Sequence, residues 1–132
     1  MTDYLHTTLS ENEVFGMSML ALAHVGDAVF DLLVRASESA RGVATAKNLH
    51  RNTVSRVSAN AQAGAVDKIL PHLTEREADV FRRGKNAKVH KIPKGASHET
   101  YHKATALECL FGYLYLTGDY TRLNEIFDII IK

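Results

Sequence analysis

The sequence has 132 residues, 45% hydrophobic and 23% charged, with a formal net charge of +1; this is the balance of one globular domain, residues 1–132, with enough length to bury a core. Its one cysteine rules out a disulfide framework and suits a reducing cytoplasm, while the absence of a basic, apolar leader and of a long apolar run argues against secretion and against a membrane partner. With so small a net charge, any affinity for nucleic acid must come from where the charges sit.

Taken in chain order, the pattern is helical throughout, with no sustained period-two alternation. "SENE" at Ser10–Glu13 is a capping box and predicts a first helix running towards Ser37, loosened at Gly16, with Leu22, Val25, Val29 and Leu33 on one face. Thr45 caps a second helix through "AKNLHRNTVSRV", and Ser58 a third through "ANAQAGAVDKIL", which Pro71 ends. "TERE" at Thr74–Glu77 opens a further helix towards Arg83. From Gly84 to Ser97, glycines, a proline and lysines with little to bury predict a loop. A helix from Glu99 to Thr117 stops at "TGD", and "YTRLNEIFDIIIK" closes the chain. The fold class expected is all-α, a single domain of five to seven helices.

Two carboxylates stand in apolar segments. Asp27 interrupts "LALAHVGDAVFDLLVR", with Asp31 one turn later, and Glu108 is the only charge in "TALECLFGYLYL". Both have small neighbours, Ala23, Gly26 and Ala28 for Asp27 and Ala104 and Gly112 for Glu108, which leave room beside the carboxylate. An ionised carboxylate cannot be buried without a partner. One reading is a salt bridge to Arg35, Arg51 or Arg56. The other brings Asp27 and Glu108 together about a hard cation such as Mg²⁺, which takes few oxygen ligands and completes its shell with water and substrate phosphate. Asp31 reads as a helix-surface acid near such a site.

The third feature is a run of positive charge. "RRGKNAKVHKIPK" holds Arg82, Arg83, Lys85, Lys88, Lys91 and Lys94 and no acid, and it leaves the remainder of the chain net acidic. Together with Asn86, and with His50 and Arg51 on the second helix, these residues form a phosphate-binding footprint, with Gly84 and Gly95 permitting close approach to a backbone. A solvated surface loop is the plainer account of such a run. No aromatics are interleaved with the lysines, which disfavours stacking on single strands and leaves the backbone of a duplex.

"HETYH" at His98–His102 matches the zinc-protease pattern H-E-x-x-H. It lies where the basic loop meets a helix start, has no obvious third ligand, and reads more simply as a helix-cap histidine followed by a surface or RNA-facing one. Cys109, Tyr113 and Tyr115 read as core or interface residues.

The segments around the two acids carry a family resemblance. "LALAHVGDAVFDLLV" (Leu20–Val34) resembles the signature segment of the ribonuclease III family, and "ATALECLFGYLYLTGD" (Ala104–Asp119) its second motif. "LALA-x-x-GDA", the "RRGKNAK" of Arg82–Lys88 and the pair Thr100–Tyr101 are similar to the Mini-ribonuclease III subfamily, and the likeness extends from about Met19 to the end. The resemblance implies a homodimeric, cytoplasmic endonuclease for double-stranded RNA that needs Mg²⁺, with Mn²⁺ as a substitute, and no organic cofactor. It puts Asp27 and Glu108 at the metal-binding, catalytic positions. It implies 5′-phosphate and 3′-hydroxyl products and a precursor of large-subunit (23S) ribosomal RNA as substrate. Further acidic positions of the larger family are Leu20, Ala23 and Thr105 here, which bears on how many ions are held. The dimer surface is expected on the apolar face of the first helix and near Phe15 and Phe30. The competing class is a non-catalytic RNA-binding or ribosome-assembly module on the same fold; the joint presence of Asp27 and Glu108 favours the enzyme.

Overall fold

The structure, a computed structural model, describes residues 1–42, 45–87 and 97–132. Among the described residues there are seven α-helices, one 3-10 turn and no strand. The expected first helix is in fact two, α1 (Glu11–Phe15) and α2 (Met19–Ala40). Ser10 closes its capping box with Glu13, but Ser18 then caps afresh, its hydroxyl accepting from the Ala21 N–H at 3.1 Å. A glycine followed by a new cap residue is the sequence signal for that break.

Thr45 and Ser58 cap α3 (Ala46–Val57) and α4 (Ala59–Ile69) as expected, and Pro71 lies in the 3-10 turn Leu70–His72. The Thr74–Glu77 box opens α5 (Glu75–Lys85). Ser97 caps α6 (His98–Leu116), and Asp119 caps α7 (Tyr120–Ile131) after a turn at Gly118, whose φ of +78° suits a residue without a side chain. The basic run differs from expectation. Arg82, Arg83 and Lys85 belong to the last turn of α5, where positive charge favours the helix dipole. Gly84 is buried, and a Cβ there would come within 2.9 Å of the Cys109 side chain; it seats α5 on α6 and does not face a ligand. Lys88, Lys91, Lys94 and Gly95 lie outside the described residues.

Helix α6 is the axis of the fold. From Ala104 to Leu114 every residue except Glu108 is buried, so the helix is enclosed on nearly all sides, chiefly by α2, α5 and α4. Phe30 of α2 sits fully inside, edge-on to Phe111 and Phe127 at 5.3 and 6.0 Å, and is no part of an outer face. Phe15 lies beneath the guanidinium groups of Arg76 and Arg83, 4.8 and 5.2 Å above its ring.

Two glycines set the distance between α2 and α6. A Cβ on Gly26 would fall 1.6 Å from the backbone oxygen of Glu108, and one on Gly112 would fall 2.1 Å from that of Leu22. The two backbones therefore touch, each helix presenting a glycine to the other. Two buried acids hold the outer helices. Glu38 of α2 takes the Asn52 amide at 3.1 Å and faces Arg41 and Arg56 at 3.4 and 3.7 Å, which ties down α3. Glu77 of α5 accepts a forked pair of bonds from Arg122 of α7 at 2.8 and 2.9 Å.

Gly112→Ala should cost about 3 kcal/mol or more, because the new methyl meets backbone that cannot turn aside; thermal melts should show a fall in Tm of roughly 10 °C. Gly64→Ala on α4, where a Cβ meets nothing within 4 Å, should instead gain about 0.5–1 kcal/mol.

Candidate active site

Asp27 follows Gly26 and so leaves α2 at the edge of the helix crossing. Glu108 lies on α6 at the contact itself, since its backbone oxygen is the atom that Gly26 faces. The two side chains meet: Asp27 is within hydrogen-bonding reach of Glu108. The apolar sequence around Asp27 suggests burial, but α2 turns this side chain outwards and it is exposed, while Glu108 is half-buried. Burial, the hydrogen bond with Asp27 and the Asp27 charge together push the Glu108 carboxyl up to about 8.

The two fully buried acids make the contrast. Glu38 and Glu77 each face arginine, whereas among the described residues no ion pair involves Asp27 or Glu108. Among the described residues the salt-bridge reading of these two acids finds no partner: Arg35 is paired to Asp31 at 2.9 Å, Arg56 faces Glu38, and exposed Arg51 makes no ion pair with either acid. Two facing carboxylates without a protein cation suit a hard divalent ion. Among the described residues no group of three or more histidine, cysteine or acidic side chains could hold a metal, so these residues would offer such an ion two carboxylates, with water and a substrate phosphate as natural further ligands. Ala23 and Thr105, at positions where the larger family is expected to carry acids, are both buried.

His98 is the first residue of α6 and is exposed; Ser97, not His98, is the cap. His102 lies one turn on, its ring 6.4 Å from that of His98 between centroids. Among the described residues no third histidine, cysteine or acidic side chain joins these two in a metal-binding group. Cys109 is fully buried, its thiol donating to the Met19 carbonyl at 3.2 Å, and burial pushes it up to about 12, which makes it inert.

Of the expected RNA-facing residues, the described ones lie on α3 and at the end of α5, two helices that both pack on α2. Arg82 is held by Asp79, Arg83 lies over Phe15, and Asn86 caps α5 with its N–H on the Arg82 carbonyl. Arg76 of α5, outside the basic run, joins Arg83 on the same ring; their seven-residue spacing on one helix is the signal that could have found it. On α3, His50 and Arg51 are exposed and share a shallow surface hollow with Lys47, Val54 and Ser55. This helix has no acidic residue.

Both acids fall within residues 20–119, the span matched by a family model described as Ribonuclease III domain. The chain belongs to the ribonuclease III family, and is an endoribonuclease. Within that family it belongs with the Mini-ribonuclease 3 proteins. The one from Thermoanaerobacter sp. (strain X514) is 40% identical over 134 residues, covering 100% of this chain and 94% of the relative. That from Symbiobacterium thermophilum is 45% identical over 107 residues, 81% of this chain and 82% of the relative. Among solved structures, the crystal structure of a Fusobacterium nucleatum protein superposes with a TM-score of 0.80 at 30% identity, covering 86% of this chain and 93% of the other.

The raised Glu108 pKa gives the metal-free chain a pH dependence. The folded state keeps this proton up to about pH 8, while the unfolded chain releases it near 4.5. Stability is therefore full below the ordinary value and falls as pH rises from about 4.5 to about 8. In chelator, Tm should decline across that window, and Glu108→Gln should flatten the decline; parallel wild-type and variant curves would remove Glu108 as its source.

Proposed function

We propose that this chain is a Mg²⁺-dependent endoribonuclease specific for double-stranded RNA, acting as a cytoplasmic homodimer in the maturation of large-subunit ribosomal RNA precursors. The observation that carries the reading is the carboxylate pair: Asp27 and Glu108 face each other with no basic partner among the described residues, in a fold whose buried acids, Glu38 and Glu77, are neutralised by arginine.

Asp27 and Glu108 would hold the ion. A bound Mg²⁺ supplies neutralising charge to the phosphate and lowers the pKa of water. The chain's own part is positional. Asp27 stands exposed at the rim, where a phosphodiester can reach it, and Glu108 behind it is fixed by α6. Glu108 must give up its proton for both carboxylates to ligate, so cleavage rises with pH towards about 8. Hydrolysis adds hydroxide to phosphorus and a proton to the departing 3′ oxygen, leaving a 5′-phosphate and a 3′-hydroxyl.

Recognition is of backbone and A-form shape, since the deep major groove hides the base edges. Lys47, His50 and Arg51 on α3, and Arg82, Arg83, Lys85 and Asn86 at the end of α5, are the candidate contacts, with Lys88, Lys91 and Lys94 beyond them. One carboxylate pair per chain serves one strand, and two strands call for two chains. A stripe on α2 at four-residue spacing, Leu20, His24, Ala28 and Leu32, is exposed, with Leu20 and Leu32 at 46% and 58%; it supports pairing of two copies through this face.

The test is cleavage of a labelled RNA duplex, beside single-stranded RNA and a DNA duplex, with Mg²⁺ and with chelator. Only the RNA duplex should be cut, and only with the ion. Asp27→Asn should lower the rate by roughly a thousandfold or more, about 4 kcal/mol of barrier, while leaving Tm in chelator equal or higher. Binding without cutting in every arm would make the chain a non-catalytic RNA-binding module.

The α3 side chains have a separate signature. Lys47→Ala with Arg51→Ala should weaken binding to all duplex sequences alike and reduce the slope of log K against log salt by about one for each phosphate no longer neutralised. An unchanged slope in a filter-binding titration would take α3 out of the interface.

A further inference from the structure

Helix α2 carries a charged edge as well as an apolar one. Asp27, Asp31 and Arg35 follow one another at four-residue spacing and so lie along one side of the helix, with Arg35 about 12 Å beyond the site acid. Asp31 holds one edge of the Arg35 guanidinium, accepting from its Nε at 2.9 Å. Among the described residues the two Nη groups of Arg35 make no hydrogen bond, and the side chain is 64% exposed. An arginine that serves structure in this fold is used differently. Arg122 engages its Nε and both Nη groups with Glu77, Glu125 and the His72 carbonyl.

Arg35 borders a hollow of about 260 Å³ between α2 and α3, lined also by Ser39, Ala46, Leu49, His50 and Thr53. Its polar side chains are ones that can donate: a guanidinium, two hydroxyls and an imidazole. No carboxylate lines it. Ala46 is the first residue of α3, so the hollow lies beside the end of that helix where the dipole is positive, and the first turn there has no acid. His50 lines a second hollow with Lys47 and Arg51. Positive charge therefore continues from Arg35 across α3, starting from the edge of α2 that carries Asp27. A track of donors and cations without aromatic rings suits the phosphates of a backbone and not its bases.

We propose that Arg35 binds a backbone phosphate of the RNA duplex at the crevice between α2 and α3, with Asp31 as the positioning residue that orients it. The proposal rests on duplex RNA as the substrate in the function proposed above, and it names a contact that neither the basic run nor α3 supplies. The free Nη edge can give a phosphate two parallel N–H bonds. A guanidinium already held at one edge gives up less freedom when the other edge is engaged. Arg35 and Asp27 share one rigid helix, so a phosphate held by Arg35 lies at a fixed distance from the carboxylate pair and sets the register of the strand there.

The experiment is a filter-binding titration of a labelled RNA duplex in chelator over a series of salt concentrations, with the same series read as kcat/KM in Mg²⁺ and melting curves run alongside. Arg35→Ala should weaken binding roughly tenfold and lower the slope of log K against log salt by about one, with Tm close to that of the wild type because the pair it breaks is on the surface. Arg35→Lys keeps the charge and loses the fork, so it should keep the wild-type slope at an affinity reduced a few-fold. Lys132→Ala is the matched control: it breaks another surface pair at four-residue spacing, with Asp128 at 2.9 Å, and should change neither affinity nor slope. A wild type that binds the duplex while Arg35→Ala keeps its slope, or loses no more than Lys132→Ala does, would overturn the Arg35 contact and leave the RNA reading standing. A wild type that neither binds the duplex nor cuts it would overturn both.

Discussion

The close crossing of α2 and α6 is the constraint from which the rest of the site follows. Gly26 and Gly112 let two helix backbones touch, with no room for a Cβ on either. Close packing of this kind fixes both the separation and the rotation of the helices, because any turn would drive a neighbouring side chain into the contact. The residue after Gly26 and the residue whose carbonyl Gly26 faces are the two acids. A helix pair held apart by ordinary side chains would sit at the usual interaxial distance of about 8–10 Å and could not bring those two carboxyl groups together as readily.

The electrostatic cost is local to that meeting. Elsewhere the fold follows the ordinary rule for buried acids: Glu38 has Arg41, Arg56 and Asn52, and Glu77 has both arms of Arg122. Those clusters tie helices together and serve structure. At Asp27 and Glu108 the fold keeps two acids adjacent and leaves Glu108 holding a proton up to about pH 8. Strongly shifted groups of this kind, with no compensating cation among the described residues, tend to mark functional sites.

Much of this is legible in the sequence, and the reasons are specific. The helices announce themselves through caps: Ser10, Thr45, Ser58 and Thr74 each accept a backbone N–H as their positions suggest, while at α6 the cap is Ser97 and not the histidine after it. The two acids stand out because a charge in an apolar segment has few explanations. What the sequence does not convey is direction. Asp27 sits among apolar residues yet faces out, because α2 has apolar neighbours on two sides of it, the core on one and the exposed stripe on the other. The glycines beside the acids read as space for a ligand, but they are where backbone meets backbone. Gly84 misleads in the same way, since a glycine in a basic run looks like part of a loop until the helix it faces is known. The Glu38 cluster escapes a reading centred on acids in apolar runs, although Phe30, Val34 and Glu38 follow one another at four-residue spacing and so share the buried face.

The run Gly26–Asp27–Ala28 condenses the geometry of α2. Successive helical residues point about 100° apart, so three in a row look in three directions. Gly26 is buried against α6, Asp27 is turned to Glu108 and solvent, and Ala28 lies on an outer groove with Val25 and Leu32. Packing, site and outer apolar face are therefore one residue apart on a single rigid element. A substitution that rotates α2 to relieve a clash at Gly26 must also move Asp27 away from Glu108 and tilt Ala28 out of the groove. The short triplet is a mechanical requirement: the same turn of helix has to satisfy three neighbours at once, and only a glycine, an acid and a small apolar residue in that order meet all three.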